Sequence, residues 1–320
     1  MATVTNFVEK YKQPRGGFLP PKDWQSLSIP NTQPANEEIL SGLHYATTGL
    51  VVEYLASFYF VPTKNYEHNQ SDNEQQLAQW WSKETFNHYA LQPFEQSEFH
   101  YPLNVSLKGF KLHHKLWNST LRDDIGYSWW DQENIDNNIA LIYFLAQFDS
   151  VYRARFHNFY VKPLLPSNEK YDDLTKKQKQ DYFQAIKDQI SHEQQEQIKL
   201  MSQNIVKTYK YLLDISSTKQ LHLGFDIKGA ENDIITAGDG DAIVGEYLID
   251  IKTKKTGFTP KHTLQVLIYY LMGLNSYNEE QFQKVKYLAL YNPKLNIFNY
   301  IAIKDIPVSI IDDINSLIGQ

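Results

Sequence analysis

The chain of 320 residues contains no cysteine. That absence excludes a disulfide framework, a thiol nucleophile, an iron–sulfur cluster and any zinc site built on thiolates. Long apolar runs are missing too. The most apolar stretches, around residues 50–60 and 264–274, include polar positions and fall short of the roughly 18 consecutive apolar residues of a membrane span. Residues 1–17 are polar, with Glu9, Lys10, Lys12 and Arg15 among them, and do not read as a secretory signal. The expectation is a soluble protein of a reducing compartment, the cytoplasm, with no membrane partner. An excess of positive charge is also missing: 31 Lys and Arg stand against 37 Asp and Glu, a net charge of −6. A uniformly basic nucleic-acid binder is thereby excluded, while a local basic groove is not. No internal repeat is present.

What is present is a globular composition, with hydrophobic residues at 42% and charged residues at 21%, too apolar for a disordered chain. Residues 1–35 are rich in Pro, Gly and Asn and read as an irregular arm. Asn36, followed by Glu37 and Glu38, suits the cap of a helix over 36–60 carrying Leu40, Leu43, Leu50, Val51, Tyr54 and Leu55, with a break expected at Gly49. Residues 64–76 read as a polar loop, and 135–151 as a second apolar segment. The clearest helix runs over 175–214. Thr175 and Gln178 form a capping-box pattern at its start, and Ile186, Ile190, Ile198, Met201, Ile205, Tyr209 and Leu212 recur at helical steps. After Ile215 the pattern changes to short β-type runs at 233–236, 241–244, 247–253, 287–291 and 297–303, with a helical run at 263–274 between the third and fourth. The expected organisation is a mainly helical region, 1–215, followed by a small α/β unit, 216–320.

The chemistry concentrates in residues 240–253, Gly-Asp-Ala-Ile-Val-Gly-Glu-Tyr-Leu-Ile-Asp-Ile-Lys-Thr. Gly245-Glu246 between two β-type runs fits a two-residue hairpin turn of type II′. That turn places Val244 opposite Tyr247, Ile243 opposite Leu248, Ala242 opposite Ile249 and Asp241 opposite Asp250. Opposed residues have Cβ atoms about 4.5–5.5 Å apart on one side of the sheet. Lys252, two residues beyond Asp250, shares that side. Two facing carboxylates repel unless a cation sits between them. Hard oxygen donors favour Mg²⁺ or Mn²⁺. A neighbouring lysine can orient a water or stabilise charge developing on a phosphate. Metal, carboxylates and lysine together suit hydrolysis of a phosphodiester by an activated water. The alternative is a surface hairpin with an exposed Asp–Lys face; against it, Asp250 lies among Tyr247, Leu248, Ile249 and Ile251, the pattern of a strand covered on both sides. Gln265 and Tyr269, four apart on the following helix, share one face.

The arrangement Asp241…Asp250-Ile251-Lys252 followed by Gln265-x-x-x-Tyr269 resembles the PD-(D/E)XK nuclease superfamily, in its RecB-like branch. The resemblance implies an α/β protein with a restriction-endonuclease-like αβββαβ core and a large helical N-terminal region. It implies Asp241 and Asp250 as ligands of Mg²⁺ (or Mn²⁺), Lys252 as the residue that positions or activates the water, and Gln265 and Tyr269 as support for the site. Members carry an earlier Gly-x-x-His helix whose His joins the metal site; Gly49-Leu50-Val51-Val52-Glu53 occupies the analogous place, so the resemblance carries that ligand role to Glu53. Residues 36–60, 140–153 and 221–304 are similar in order to segments of uncharacterised bacterial members, although only 240–270 carries specific motifs. The proline that often precedes the first Asp is replaced by Gly240, and the lack of cysteine sets the chain apart from the iron–sulfur members. The implied activity is cleavage of DNA, in phage defence or in DNA repair and processing, with a homo-oligomer or an operon-encoded protein as a further partner. A non-catalytic subunit of the same fold, binding nucleic acid or protein, and an RNase are the alternatives.

Asp239, one place before Gly240, is a rival to Asp241, with its side chain expected on the other face of the strand. Asp239-Gly240-Asp241 lacks the remaining positions of a calcium loop, and the glycines do not follow a phosphate-loop spacing. Lys254, Lys255 and Lys261, with His262, are candidates for a basic edge that meets a phosphate backbone. His88, His100, His113 and His114 lack a paired helical spacing and read as surface imidazoles; Asp149 and Arg153 read as an ion pair.

Overall fold

A computed structural model of the chain describes residues 3–60, 139–140, 142–143, 146 and 175–320. The loop expected at 64–76, most of the segment 135–151, His88, His100, His113, His114, and the Asp149 and Arg153 pair lie outside the described residues. Two compact units emerge: Met1–Ala35 with Asn204–Gln320, and Asn36–Gln203. In chain order the elements are α1 (Val4–Lys10), β1 (Gln25–Leu27), α2 (Tyr45–Phe60), α3 (Lys176–Lys187), α4 (His192–Ile215), β2 (Leu221–Asp226), β3 (Asp239–Val244), β4 (Tyr247–Ile251), α5 (Pro260–Gly273), α6 (Glu279–Gln283), β5 (Tyr287–Asn292), β6 (Ile297–Ala302) and α7 (Val308–Ile318).

The first unit is mixed α/β, built on a six-stranded sheet of order β1-β6-β5-β4-β3-β2. β4 and β5 run parallel; every other neighbouring pair is antiparallel. A parallel pair needs a crossover, and α5 supplies it. Alternation along the strands sends Ile243, Leu248, Leu288 and Leu290 to the side covered by α5, where Leu264, Leu267, Ile268 and Leu271 meet them in one core. Val4 and Val8 of α1 and Ile314 and Ile318 of α7 join the same core. α7 starts after Pro307 and ends at Gly319 in the left-handed region (φ 71°).

The N-terminal arm is more ordered than its Pro and Gly content suggests. Thr3 caps α1 by accepting the Asn6 N–H (3.1 Å). β1 then adds the outer strand beside β6. Residues 233–236, expected as a strand, are not one. The strand beside β3 is instead β2, paired from Leu221↔Val244 to Asp226↔Asp239.

In the second unit the helix expected from residue 36 begins only at Tyr45. The Asn36 Oδ1 accepts the Glu38 N–H (2.9 Å) in a turn, and Gly42 at φ 90° diverts the chain. Once started, α2 passes through Gly49 without a break, because Val51, Val52, Leu55 and Ala56 are buried. The single helix expected over 175–214 is two. The Thr175–Gln178 box opens α3. A second box opens α4, with Ser191 N–H donating to Gln194 (3.1 Å) and Gln194 N–H donating to Ser191 (3.2 Å).

Gly240 sits opposite Phe225 in the β2–β3 ladder. The Phe225 ring lies so close that a Cβ on Gly240 would fall 2.0 Å from it, and that ring packs edge-on against Tyr269 (5.6 Å) and Phe282 (5.3 Å). Gly240→Ala is expected to destabilise the fold by about 1–3 kcal/mol through overpacking. Urea unfolding of the variant beside the wild type checks it; equal midpoints would refute the contact.

Candidate active site

The β3–β4 hairpin has the register its turn predicts: Val244↔Tyr247, Ile243↔Leu248 and Ala242↔Ile249. Gly245 takes φ 59°, while Glu246 is not among the residues of positive φ, which is the signature of a type II′ turn. One residue beyond that register stand Asp241 on β3 and Asp250 on β4, and each feels the other side of the hairpin: Asp241 bonds the Ile251 N–H and lies in the field of Asp250. Every residue of β4 is buried, so Asp250 sits in a strand covered on both sides and is itself 3% exposed. Asp241 is half-buried. Across β2 from Asp241 stands Gly224, exposed, at φ 80° and with open space where a Cβ would project, so no side chain fills the approach from that strand.

Lys252 follows directly on the strand. Its backbone N–H donates to the Tyr291 carbonyl (2.8 Å), extending the ladder towards β5. Its Nζ lies 2.9 Å from Asp250 Oδ1 and 2.8 Å from Oδ2. The Ile251 N–H donates to Asp241 Oδ2. One ammonium and one backbone donor thus serve two carboxylates. A single ammonium thus reaches both oxygens of the buried Asp250. Burial, then the charge of Asp250, pushes Asp241 up to about 7, against the pull of Lys252 and of the Ile251 N–H. Burial likewise raises Asp250, with Lys252 and Lys254 opposing.

On α5, Gln265 and Tyr269 are both buried and face one another. Gln265 Nε2 donates to the Tyr269 hydroxyl (3.2 Å) and to Thr5 Oγ1 on α1 (2.9 Å). Burial, followed by the charges of Asp250 and Asp239, holds the Tyr269 hydroxyl protonated far above its ordinary range. Tyr269 therefore stands in the field of the carboxylate pair. Asp239 requires a correction. Residues two apart on a strand share a face, and the charge of Asp239 raises both Asp241 and Tyr269. It is an exposed neighbour of the pair on the same side.

The basic edge is partly engaged within the protein. Lys261 pairs with Glu9 of α1 (2.6 Å). Lys254 Nζ lies 3.0 Å from His262 Nε2, and Lys254 and Lys255 are exposed. The Thr259 N–H donates to His262 Nδ1 (3.1 Å), which ties the ring to the start of α5. Burial, with Lys252, Lys254 and Lys261 nearby, pushes His262 down to about 3, so the ring is neutral.

The donor chemistry fits a hard divalent cation: two neighbouring carboxylates that share one ammonium and one backbone donor. Among the described residues no group of three or more His, Asp or Glu side chains is arranged to hold a metal ion; Asp241 and Asp250 are the donors brought together. Glu53 lies on α2, in the second unit, half-buried. Thr5 carries no sequence signal of its own, although the spacing of Val4, Phe7, Val8 and Tyr11 around it is helical.

No protein-family model matches the chain, and no curated protein or solved structure shows a significant match to it. The fold and site define a mixed α/β protein with a six-stranded sheet and an Asp–Asp–Lys group, Asp250 buried and Asp241 and Lys252 half-buried, on its central hairpin. Among the described residues no helix is long and apolar enough to cross a membrane.

Proposed function

We propose that the protein is a metal-dependent nuclease with a restriction-endonuclease-like core, hydrolysing DNA phosphodiester bonds with Mg²⁺ or Mn²⁺. The observation that carries this reading is the carboxylate pair of buried Asp250 and half-buried Asp241, one residue beyond the Ala242↔Ile249 pair of the hairpin, with Lys252 bonded to Asp250. Such a pair is short of positive charge, and a divalent cation supplies it. The order β2, β3, β4, α5, β5, with α4 before it, also supports the αβββαβ reading.

Asp241 and Asp250 would hold the ion, which would polarise a phosphate oxygen and acidify a water. Lys252, bonded to Asp250, would meet the attacking water or a non-bridging phosphate oxygen. Its role is to place that oxygen and to offset negative charge as it develops. Tyr269, held protonated, acts as a hydrogen-bond donor or acceptor and not as a base. Lys254 and Lys255, both exposed, would meet the substrate backbone and contribute salt-dependent affinity. Lys261 is a weaker candidate for that contact, because Glu9 already pairs with it. Phage defence or DNA repair is the setting that the motif resemblance suggests.

The test incubates the purified protein with linear duplex, circular duplex and single-stranded DNA and with RNA, in Mg²⁺, Mn²⁺ or EDTA, beside Asp250→Ala and Lys252→Ala. Metal-dependent cleavage of DNA that both substitutions abolish is the expected result. Cleavage that survives both would overturn the site assignment. Cleavage of RNA alone would make the protein an RNase, and no cleavage of any substrate would favour a non-catalytic binding subunit.

A further inference from the structure

The Gln265–Tyr269 pair is not held by α5 alone. An amide nitrogen carries two protons, and Gln265 Nε2 spends one on the Tyr269 hydroxyl (3.2 Å) and the other on Thr5 Oγ1 (2.9 Å). The Gln265 amide therefore bridges Thr5 and Tyr269. Gln265 and Tyr269 are buried, and Thr5 is the exposed end of the bridge. With both amide protons committed, Gln265 keeps its carbonyl oxygen as the group it can present elsewhere.

The helix that delivers Thr5 is fixed on both flanks. Thr3 forms a parallel bridge to Ala237, and the Val4 N–H donates to the Ala237 carbonyl (3.1 Å). Ala237 lies two residues before β3, the strand of Asp241. Val4 and Val8 are buried in the core of α5, and Glu9 pairs with Lys261 at the first turn of α5 (2.6 Å). Thr5 thus projects from a segment clamped between β3 and α5, the two elements that carry Asp241 and the Gln265–Tyr269 pair.

The geometry points to Thr5 as a positioning residue, which fixes the orientations of the Gln265 amide and the Tyr269 hydroxyl beside Asp250. The inference rests on the nuclease reading for its consequence in rate and on the two hydrogen bonds of the Gln265 amide for its consequence in structure. Groups that orient a reacting shell typically alter activity by 10–100-fold when removed. Thr5→Val keeps the shape and removes the hydroxyl; Thr5→Ser keeps the hydroxyl.

Three quantities are measured on the full chain: kcat and KM for DNA cleavage, the thermal midpoint, and the side-chain amide resonances of Gln265, assigned by their loss in Gln265→Leu. Thr5→Val is expected to lower kcat by about tenfold with KM and midpoint near wild type, and to move the Gln265 resonances. Thr5→Ser is expected to restore both rate and resonances. Wild-type kcat with unmoved resonances in Thr5→Val would overturn the inference, and so would a loss in Thr5→Ser as deep as that in Thr5→Val. If the wild type cleaves nothing, the nuclease reading falls, while the resonances still decide the contact: moved in Thr5→Val and not in Thr5→Ser supports it, unmoved refutes it.

Discussion

Lys252→Met is expected to slow the proposed cleavage by about a thousandfold, the scale of removing a preorganised charge from a reacting centre. The same substitution should also destabilise the metal-free protein. Lys252 Nζ bridges both oxygens of Asp250, and Asp250 is 3% exposed. Without the ammonium, Asp250 must either stay ionised and unpaired or take up a proton. Breaking a buried pair on one side costs about 3–5 kcal/mol; uptake of a proton by Asp250 brings the expected loss down to about 2 kcal/mol near neutral pH. A double variant, Asp250→Asn with Lys252→Met, removes both charges. It should regain most of the stability and none of the rate. Urea unfolding in EDTA and single-turnover cleavage in Mg²⁺ separate the two effects. A double variant as unstable as Lys252→Met would mean that the lysine packs the fold through its stem and not through its charge.

Asp241→Asn should flatten the pH dependence of stability in the metal-free protein. Asp241 ordinarily titrates near 3.8; burial and the charge of Asp250 push it up to about 7 in the folded chain. Between those values the folded protein keeps a proton that the unfolded chain has released. Its contribution to stability is therefore complete below about pH 4 and is lost as pH rises to about 7. Asp250 is raised as well and adds to the same slope. Asn at position 241 has nothing to ionise, so its slope should be shallower and its stability at pH 8 higher by about 2 kcal/mol, after allowance for water around a half-buried carboxylate. A divalent cation should act in the opposite sense on the wild type, stabilising it by about 2.7 kcal/mol at a hundredfold excess over Kd, and should do little for Asp241→Asn. Urea midpoints from pH 4 to pH 8, in EDTA and in Mg²⁺, carry both readings. Parallel pH profiles for the two proteins would show that Asp241 is not under strain.

The two substitutions probe the part of the molecule that was easiest to read in the chain. Gly245-Glu246 with β-type flanks specifies a II′ turn, and a II′ turn of two residues leaves one register. Asp241 opposite Asp250, with Lys252 on the same side, follows from parity along a strand. The same parity puts Asp239 on the face of Asp241 and not on the other side of the strand. Capping residues were equally local: Thr175–Gln178 marked the start of α3, and Ser191–Gln194 could have marked α4. α7 also carried its own signals in Pro307, Gly319 and Ile310, Ile311, Ile314 and Ile318 at helical steps.

Other features depend on partners far away in the chain. β2 has Gly224 in its middle and a mixed pattern; it is a strand because β3 supplies its ladder. The arm of residues 1–35 looks irregular, since α1 is seven residues long and such a helix is unstable in isolation. It holds its shape because Val4 and Val8 enter the core of α5 and because Lys261, read as a substrate contact, meets Glu9. Thr5 becomes a neighbour of Gln265 and Tyr269 across some 260 residues of sequence. Short-range geometry in the chain was thus enough to place the two carboxylates and the lysine on one side of a hairpin. The burial that raises Asp241 and Asp250, and the helix that closes over Gln265 and Tyr269, arose from long-range packing, because desolvation and non-local hydrogen bonds exist only once distant segments exclude water from between them.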